Sequence, residues 1–355
     1  MPEWMGLLER LSVAAGPPGF EDEVRDLLMN ELKNSVDQLF TDPFGNLYAV
    51  KMGRSERRLM MAAHMDEVAL MVRYLEPNGF IRITELGGLN PTQLLSQRVI
   101  VHGRKKLRGV IGTLPVHMGK EESPKMEDLY IDVGAVSRER LQELGVRPGT
   151  PVTFDAPFII QEDTGVVIGK ALDDRLGCLV LAESLRRVDD PEMTIYGVFT
   201  SQEERGMKGA TVAVNRIQPD LAFVLEGTIA SDVPGVPAHE RVTELGRGPA
   251  LRVMDRTVIV QRWLLEEMIA RAEDLGIPYQ LQLSPVSGTD AAAISVGGKG
   301  TPVGIVSVPA RYIHTPSSLA RMDDIENTVR LMMDLARSPP RPRYWGASGT
   351  PTPPI

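Results

Sequence analysis

The chain has 355 residues, which is long enough for two domains and for a large buried core. Its net charge of −8 argues against a nucleic-acid-binding protein, because such proteins are more often basic. The sequence contains no run of about 18 apolar residues and no basic, apolar leader, so we expect no membrane partner and a cytoplasmic location.

Two helices and two strands are predicted in the first 64 residues. Apolar residues recur at helical spacing over residues 5–11 and 24–32, on either side of a Gly-Pro-Pro-Gly break. A turn signal at residues 42–46 then precedes a strand over residues 47–51. The apolar run over residues 58–63 predicts a second, buried strand that ends at His64.

The composition changes over residues 67–161, which are rich in Val, Ile, Gly and Pro. Turn signals recur about every 10–15 residues, and only residues 137–145 have helical character. Closely spaced short strands are typical of a small β-barrel or sandwich. We therefore predict an inserted, β-rich domain over residues 67–161, with strand-like runs at 81–83, 99–101, 109–111 and 129–131.

Alternating strands and helices resume at residue 162. The predicted elements are strands at 193–200, 221–226 and 301–308, and helices at 258–275 and 322–336. Such alternation favours a mostly parallel sheet covered by helices. The fold class is therefore α/β, with a discontinuous α/β domain formed by residues 1–66 and 162–337. Residues 338–355 are rich in proline and are expected to be disordered.

Residue types that commonly bind divalent metals lie at or beyond the ends of four of the predicted strands. In an open α/β sheet, ligands bind at the edge where the carboxyl ends of the strands meet. Each position alone is a weak signal, whereas their convergence on one edge is a strong one. Two imidazoles and several carboxylates are donors that a pair of divalent metals can use. The residues are His64 and Asp66 after 58–63, Glu203 and Glu204 after 193–200, Glu226 at the end of 221–226, and His314 beyond 301–308.

A further pair of acids, Asp173 and Asp174, precedes a predicted helix. Acids at this position usually cap the helix or face its dipole, and for Asp174 both that role and metal binding stay open. A carboxylate has two oxygens and can bridge two cations. We take Asp173 as the candidate bridge.

The Glu203-Glu204 doublet allows a division of labour in hydrolysis. One glutamate can bind a metal while the other accepts a proton from water and returns it to the leaving amine. His64 and Asp66 are two residues apart, so on an extended strand their side chains point the same way, and Asp66 can hold the second nitrogen of the His64 ring. These residues predict hydrolysis assisted by two metals.

The other histidines and the single cysteine show no such pattern. His102, His117 and His239 have no acidic partner at suggestive spacing, and we expect them in structural or surface positions. Cys178 lies in an apolar run and is expected to be a buried, unreactive residue.

Three other functions stay open at this stage. The same metal pair can remove the acyl group of an N-acyl amino acid. Glycoside hydrolysis needs only two carboxylates, which leaves both histidines unexplained. A non-catalytic assembly scaffold would keep a vestigial site, although no ligand or base position is replaced by an inert residue.

Seven motifs, in the same order, resemble those of the tetrahedral aminopeptidases, a family that includes glutamyl and deblocking aminopeptidases and proteins labelled endoglucanase M. In combination they are highly specific. The motifs are Gly16-Pro17-Pro18-Gly19-Phe20-Glu21, Asp42-Pro43-Phe44-Gly45-Asn46-Leu47, Ala63-His64-Met65-Asp66-Glu67, Lys170-Ala171-Leu172-Asp173-Asp174-Arg175, Gln202-Glu203-Glu204, Ser287-Gly288-Thr289-Asp290-Ala291 and Pro309-Ala310-Arg311-Tyr312-Ile313-His314.

The resemblance implies a metal-dependent aminopeptidase that acts on short peptides with two divalent ions, usually zinc or cobalt. It also implies a cis peptide after Asp173 and a homo-oligomer, often a dodecamer, assembled with the help of the inserted domain. Two positions depart from the family pattern: Glu226 stands where many members have Asp, and Pro18 where Ser is common. The implied roles are His64, Asp173 and Glu226 for one metal, Asp173, Glu204 and His314 for the other, Asp66 to orient His64, and Glu203 as the general base.

Overall fold

The computed structural model describes residues 2–114 and 123–341. His117 and most of the proline-rich tail therefore lie outside the described residues. The helices are α1 (Met5–Val13), α2 (Asp22–Leu32), α3 (Pro91–Leu94), α4 (Arg138–Glu143), α5 (Leu172–Arg187), α6 (Lys208–Ile217), α7 (Arg262–Asp274), α8 (Ala291–Val296) and α9 (Met322–Arg337). Short 3-10 helices occur at Met126–Asp128, Glu162–Thr164, Glu203–Arg205 and Ala238–Glu240.

The strands fall into one large sheet and one barrel. In chain order they are β1 (Gln38–Thr41), β2 (Leu47–Lys51), β3 (Ser55–His64), β4 (Ala69–Leu75), β5 (Ile81–Leu86), β6 (Arg98–His102), β7 (Lys106–Gly112), β8 (Tyr130–Asp132), β9 (Pro151–Phe154), β10 (Ile159–Gln161), β11 (Val166–Gly169), β12 (Met193–Thr200), β13 (Leu221–Ile229), β14 (Ala250–Asp255), β15 (Gln280–Ser284), β16 (Val303–Arg311) and β17 (Ser318–Arg321).

Four parallel strands, in the order β12-β3-β13-β16, form the centre of the large sheet. Antiparallel strands flank them on both sides. The parallel register places Thr200 beside His64 and Glu226 beside Ser307, so the carboxyl ends of these strands lie at one edge. The central strands are buried along most of their length, as expected for a sheet covered on both faces. The predicted α/β fold with a mostly parallel sheet is confirmed.

A closed barrel is inserted between β3 and the second half of the sheet. Its six strands run in the order β4-β5-β8-β7-β6-β9, and its interior has its own apolar cluster, which includes Val72, Ile81, Val99 and Ile131. The sequence left open a barrel or a sandwich, and the structure has the barrel. Strand β10, which lies inside the predicted insertion, pairs instead with β11 of the large sheet.

Helix α5 is the central helix of the fold. It packs against β13 and β3 on one side and against α9 and α1 on the other, and nearly all of its residues are buried. This packing fixes the start of α5, where Asp173 lies, relative to the ends of the central strands. Within the described ranges no helix is long and apolar enough to span a membrane. The cytoplasmic location stays a prediction.

Helix α7 begins at Arg262, four residues after the predicted start at 258. The Asp255 carboxylate accepts the N–H groups of Thr257 and Val258, which holds this stretch in a turn instead of a helix. The sequence also gave no prediction for helix α6 or for the parallel pair β14 and β15.

Candidate metal centre and active site

The predicted ligand residues meet at the carboxyl edge of the large sheet. His64 ends β3, Glu226 lies in β13, and Glu204 lies in the 3-10 turn that follows β12. His314 follows β16, and Asp173 stands at the start of α5. Five elements that are far apart in sequence therefore bring these side chains together.

The side chains form two groups that share Asp173. In the first group, His64 Nε2 lies 3.4 Å from Asp173 Oδ1 and 3.7 Å from Glu226 Oε2. In the second group, His314 Nε2 lies 3.2 Å from Asp173 Oδ2 and 3.3 Å from Glu204 Oε1. Within each group the potential ligand atoms lie within 4.8 Å of one another. Each oxygen of Asp173 faces a different group, which is the arrangement of a bridging carboxylate.

The second nitrogen of each imidazole lies against an oxygen atom. His314 Nδ1 lies 2.8 Å from the carbonyl oxygen of Gly88, and His64 Nδ1 lies 3.1 Å from the carbonyl oxygen of Asp66. The Asp66 carboxylate is farther from His64 Nδ1, at 3.5 Å. Hydrogen bonds at Nδ1 leave Nε2 free to act as a ligand atom. Both the main chain and the carboxylate of Asp66 therefore lie near His64 Nδ1, and the predicted role of Asp66 in orienting His64 stays a prediction.

Gly87 and Gly88 belong to the barrel and were not among the predicted site residues. They follow β5 and approach the second group closely: a Cβ added at Gly87 would lie 2.7 Å from Glu204 Oε2. The available signal was the glycine doublet itself, since glycine permits close approach of a backbone to another group.

The Asp174 carboxylate is committed to the backbone. Its Oδ1 accepts the N–H groups of Gly177 and Gly227, both at 2.8 Å, and its Oδ2 accepts that of His64 at 3.1 Å. The structure thus places Asp174 as a structural acceptor beside the two groups. The peptide between Asp173 and Asp174 is cis, as the resemblance implied.

Burial and neighbouring charges shift the pKa values of these residues. Burial raises the pKa of Glu204 to about 7, although His314 opposes the shift. Burial also holds the pKa of Glu226 well above its usual range, and the charge of Asp174 adds to this. Burial would lower the pKa of His314, but the hydrogen bond to Asp173 and the charge of Glu204 raise it to about 10. Carboxylates are crowded more densely here than two imidazoles can neutralise, so bound divalent cations would stabilise the cluster.

The donor atoms fit divalent metal ions. Both groups offer only imidazole nitrogen and carboxylate oxygen, which suit zinc, cobalt and several other ions. Glu226 Oε1 is buried and has no hydrogen-bond partner, although buried polar atoms are normally paired. An ion in the first group would give this oxygen a partner.

A cavity of about 660 Å³ opens onto both groups. Glu203 lines it beside Glu204, and burial raises the pKa of Glu203 well above its usual range. The motif at 287–291 contributes Ser287, Gly288 and Thr289 to the wall. Asp290 lies behind the wall, where its carboxylate accepts a hydrogen bond from Thr200 Oγ1 at 2.5 Å.

The remaining histidines in the described ranges and the cysteine lie outside the two groups. His102 Nε2 lies 2.8 Å from Thr153 Oγ1 in the barrel, and His239 is exposed beside Glu240. Cys178 is buried, and burial raises the pKa of its thiol far above the usual range. Its Sγ lies 3.1 Å from the carbonyl oxygen of His64, which is consistent with a packing role.

Two His-and-carboxylate groups at the carboxyl edge of a parallel sheet resemble the sites of metal-dependent hydrolases, and comparison with known proteins shows which family the chain belongs to. The family model described as M42 glutamyl aminopeptidase matches residues 45–331. A putative aminopeptidase of Acetivibrio thermocellus is 38% identical over 333 residues, which cover 92% of this chain and 97% of that protein.

Two solved structures show the same similarity in three dimensions. The TET aminopeptidase from the archaeon Thaumarchaeota archaeon SCGC AB-539-E09 has a TM-score of 0.92 at 36% identity, covering 94% of this chain and 96% of that one. The TET1 peptidase of Pyrococcus horikoshii, which can assemble into a tetrahedron or a large octahedral shell, has a TM-score of 0.84 at 30% identity, covering 94% and 99%.

The chain belongs to the M42 glutamyl aminopeptidase family. The resemblance to the tetrahedral aminopeptidases is thereby confirmed, and the family supports a peptide hydrolase of the aminopeptidase type.

Proposed function

We propose that the protein is a metal-dependent aminopeptidase that removes N-terminal residues from short peptides with the help of two divalent ions. The observation that carries the proposal is Asp173, whose two oxygens each face a different His-and-carboxylate group. A single-metal site would have no use for the second group. Family membership supports the reaction type.

The ligands of the two ions would be the two groups already described. His64, Asp173 and Glu226 would hold one ion, and Asp173, Glu204 and His314 the other. Such ions polarise a peptide carbonyl and lower the pKa of water. Zinc and cobalt are the candidates, because both accept imidazole and carboxylate ligands.

Glu203 is the proposed general base. It lines the cavity, it is the neighbour of a proposed ligand in sequence, and its carboxylate can take up a proton and release it. It would accept a proton from the attacking water and pass it to the amine that leaves. Asp66 would support it by holding the backbone of Glu203 and Glu204.

The test is a panel of aminoacyl-p-nitroanilides and N-acetyl amino acids, assayed on metal-free protein and after addition of zinc or cobalt. We expect hydrolysis of the anilides that depends on added metal and no release of acetate. Hydrolysis of the N-acetyl amino acids alone would identify a deacylase and contradict the proposal. Inactivity with both metals bound would favour a scaffold. In a separate assay on a glycoside substrate, release of reducing sugar that survives metal removal would favour a glycosidase.

We also propose a homo-oligomer, possibly a dodecamer, with the inserted barrel domain of residues 67–161 contributing to assembly. The assembly of the Pyrococcus horikoshii relative supports this. Light scattering at micromolar concentration is expected to give a particle several times the 39.0 kDa of one chain. A monomer at that concentration would rule the assembly out.

A further inference from the structure

Four consecutive backbone N–H groups, at residues 201–204, all donate to side-chain oxygens. This segment carries the proposed base, Glu203, and the proposed ligand, Glu204. The bonds are Ser201 N to Asn46 Oδ1 at 3.0 Å, Gln202 N to Glu21 Oε1 at 3.1 Å, Glu203 N to Asp66 Oδ1 at 2.9 Å and Glu204 N to Asp66 Oδ2 at 3.0 Å. We call Glu21, Asn46 and Asp66 the acceptor set.

The acceptor set is buried and comes from three separate segments, all far in sequence from residues 201–204. Glu21 is 3% exposed, and Asn46 and Asp66 are fully buried. Removing such polar groups from water costs free energy unless they form hydrogen bonds, and here the bonds go to the 201–204 segment. Glu21 and Asn46 belong to two motifs, at 16–21 and 42–47, to which the proposed chemistry assigns no role.

Two of the three acceptors, Asn46 and Glu21, are themselves held in place. Asn46 donates from its backbone N and from its Nδ2 to the Asp42 carboxylate, at 3.0 and 2.8 Å, and its Nδ2 also donates to the Gly209 carbonyl at 3.1 Å. Glu21 Oε1 also accepts the N–H group of Gly19 at 2.7 Å. The acceptor oxygens therefore have little freedom to move.

The carbonyl side of the segment is fixed as well. Gly209 N donates to the Ser201 carbonyl at 2.9 Å, and Gly206 N and Met207 N donate to the Glu203 carbonyl at 2.8 and 2.9 Å. A Cβ at position 209 would collide with Asn46 Oδ1 and with the Ser201 carbonyl, so only glycine permits this packing. The segment is thus anchored on both sides.

We propose that Glu21 and Asn46 are positioning residues for hydrolysis: they fix the backbone from which Glu203 and Glu204 reach the reaction centre. The proposal rests on the proposed roles of Glu203 and Glu204. A displacement of about 1 Å in a catalytic group can cost about 100-fold in rate, which is why an enzyme would fix this backbone so completely.

Variants of Glu21 separate positioning from general stability. Glu21→Ala removes the acceptor oxygen and Glu21→Asp withdraws it, so each is expected to lower kcat by roughly 10–100-fold with little change in KM. Glu21→Gln keeps an oxygen for both N–H groups and is expected to restore most of the rate. Glu23→Ala is the matched control, because Glu23 also accepts a backbone N–H, that of Ala15 at 3.2 Å, away from the segment.

Metal binding gives a readout that does not require activity. Glu204 lies only in the second group, so Glu21→Ala should weaken the binding of one zinc ion by roughly 10–100-fold and leave the other unchanged. Titration of metal-free protein with zinc measures both affinities. The same Glu23→Ala control should bind both ions as the unmodified protein does.

A double variant tests whether Glu21 acts through Glu203. In a Glu203→Gln background, Glu21→Ala is expected to reduce kcat much less than it does alone, because the base is already absent. Full multiplication of the two losses would contradict a role of Glu21 through Glu203, and unchanged zinc affinities in Glu21→Ala would then contradict the proposal as a whole.

Other outcomes would also overturn it. A folded Glu21→Ala protein with unchanged kcat and two unchanged zinc affinities would do so, as would a Glu21→Gln loss equal to that of Glu21→Ala. If Glu21→Ala does not fold, Glu21→Asp decides by the same criteria. If the unmodified protein has no peptidase activity, the proposed function fails, and the zinc titration of the Glu21 variants still decides this inference.

Discussion

His314 Nδ1 lies 2.8 Å from the carbonyl oxygen of Gly88, and this contact joins the inserted barrel to the candidate metal centre. His314 follows β16 of the large sheet, whereas Gly88 follows β5 of the barrel. The barrel therefore takes part in forming the site, in addition to any role in assembly.

The glycine that precedes this contact is expected to be required for the second metal group. Gly87 has a φ of +84°, and an added Cβ would lie 2.7 Å from Glu204 Oε2. Gly87→Ala should therefore weaken the binding of one zinc ion and lower kcat. Gly134→Ala is the matched control, because Gly134 also has a positive φ, +74°, but a Cβ there meets nothing within 4 Å. Zinc titration and kcat of both variants check this. Equal effects of the two substitutions would show that backbone strain alone is responsible.

Replacement of Glu203 should remove the chemical step and spare metal binding. Glu203→Gln keeps the shape of the side chain but cannot accept a proton, so kcat is expected to fall by about 10²–10⁴-fold. Metal content, measured by atomic emission, should stay at two ions per chain. Near-normal turnover would refute the assignment of the base.

Asp173 should affect both metals, whereas Glu226 should affect one. Asp173 faces both groups, and Glu226 belongs only to the first. Asp173→Asn is therefore expected to weaken the binding of both zinc ions, and Glu226→Gln the binding of only one. The expected loss of affinity for each affected ion is at least about 10–100-fold. Zinc titration of the metal-free variants compares them. Loss of a single ion in Asp173→Asn would argue against a bridging carboxylate.

We predict that the cavity wall favours acidic or neutral N-terminal residues over basic ones. It contains Arg252 and Arg256, and Asp255 balances only the charge of Arg252, at 3.1 Å. In the described part of the wall, the only carboxylates belong to the metal groups and to Glu203. Arg256→Glu should raise kcat/KM for lysyl relative to glutamyl substrates by about 5-fold, as an exposed ion pair of ~1 kcal/mol would give.

The matched control for this change is Arg262→Glu, which alters the same charge on the exposed face of α7, away from the cavity. Its ratio of lysyl to glutamyl kcat/KM should equal that of the unmodified enzyme. If Arg262→Glu shifts the ratio as far as Arg256→Glu does, the effect comes from net charge and the cavity wall does not select the substrate.

A buried ion pair connects the segments that carry His64 and Asp173. Lys170 Nζ donates to both oxygens of Glu67, at 2.7 and 2.8 Å, and both side chains are almost fully buried. Lys170→Met removes the nearer cation of Glu67 and leaves only Arg175 Nη2, at 3.6 Å, so the free energy of unfolding should fall by about 3 kcal/mol. Denaturant unfolding measures this, with the exposed Lys105→Met as control. If Lys170→Met lowers the free energy of unfolding no more than Lys105→Met does, the expected cost is contradicted.

Periodicity in the sequence was sufficient for the elements whose signal is local. Helix α9 and strand β12 lie where the apolar spacing predicted them. The helix buries one apolar face against the core, and the strand is buried along nearly its whole length. The candidate ligands were accessible for a related reason: parallel strands bring their carboxyl ends to one edge, so residues that follow them converge.

Only the tertiary structure decided which atoms hold the site in place. The contact between Gly88 and His314 spans 226 residues, and those of Glu21 and Asn46 with the 201–204 segment span 181 and 155. Hydrogen bonds over such separations leave no local periodicity, because they depend on how the barrel, the loops and the sheet pack together. The sequence by itself determined the fold class and the candidate ligands, and packing determined how these residues are positioned.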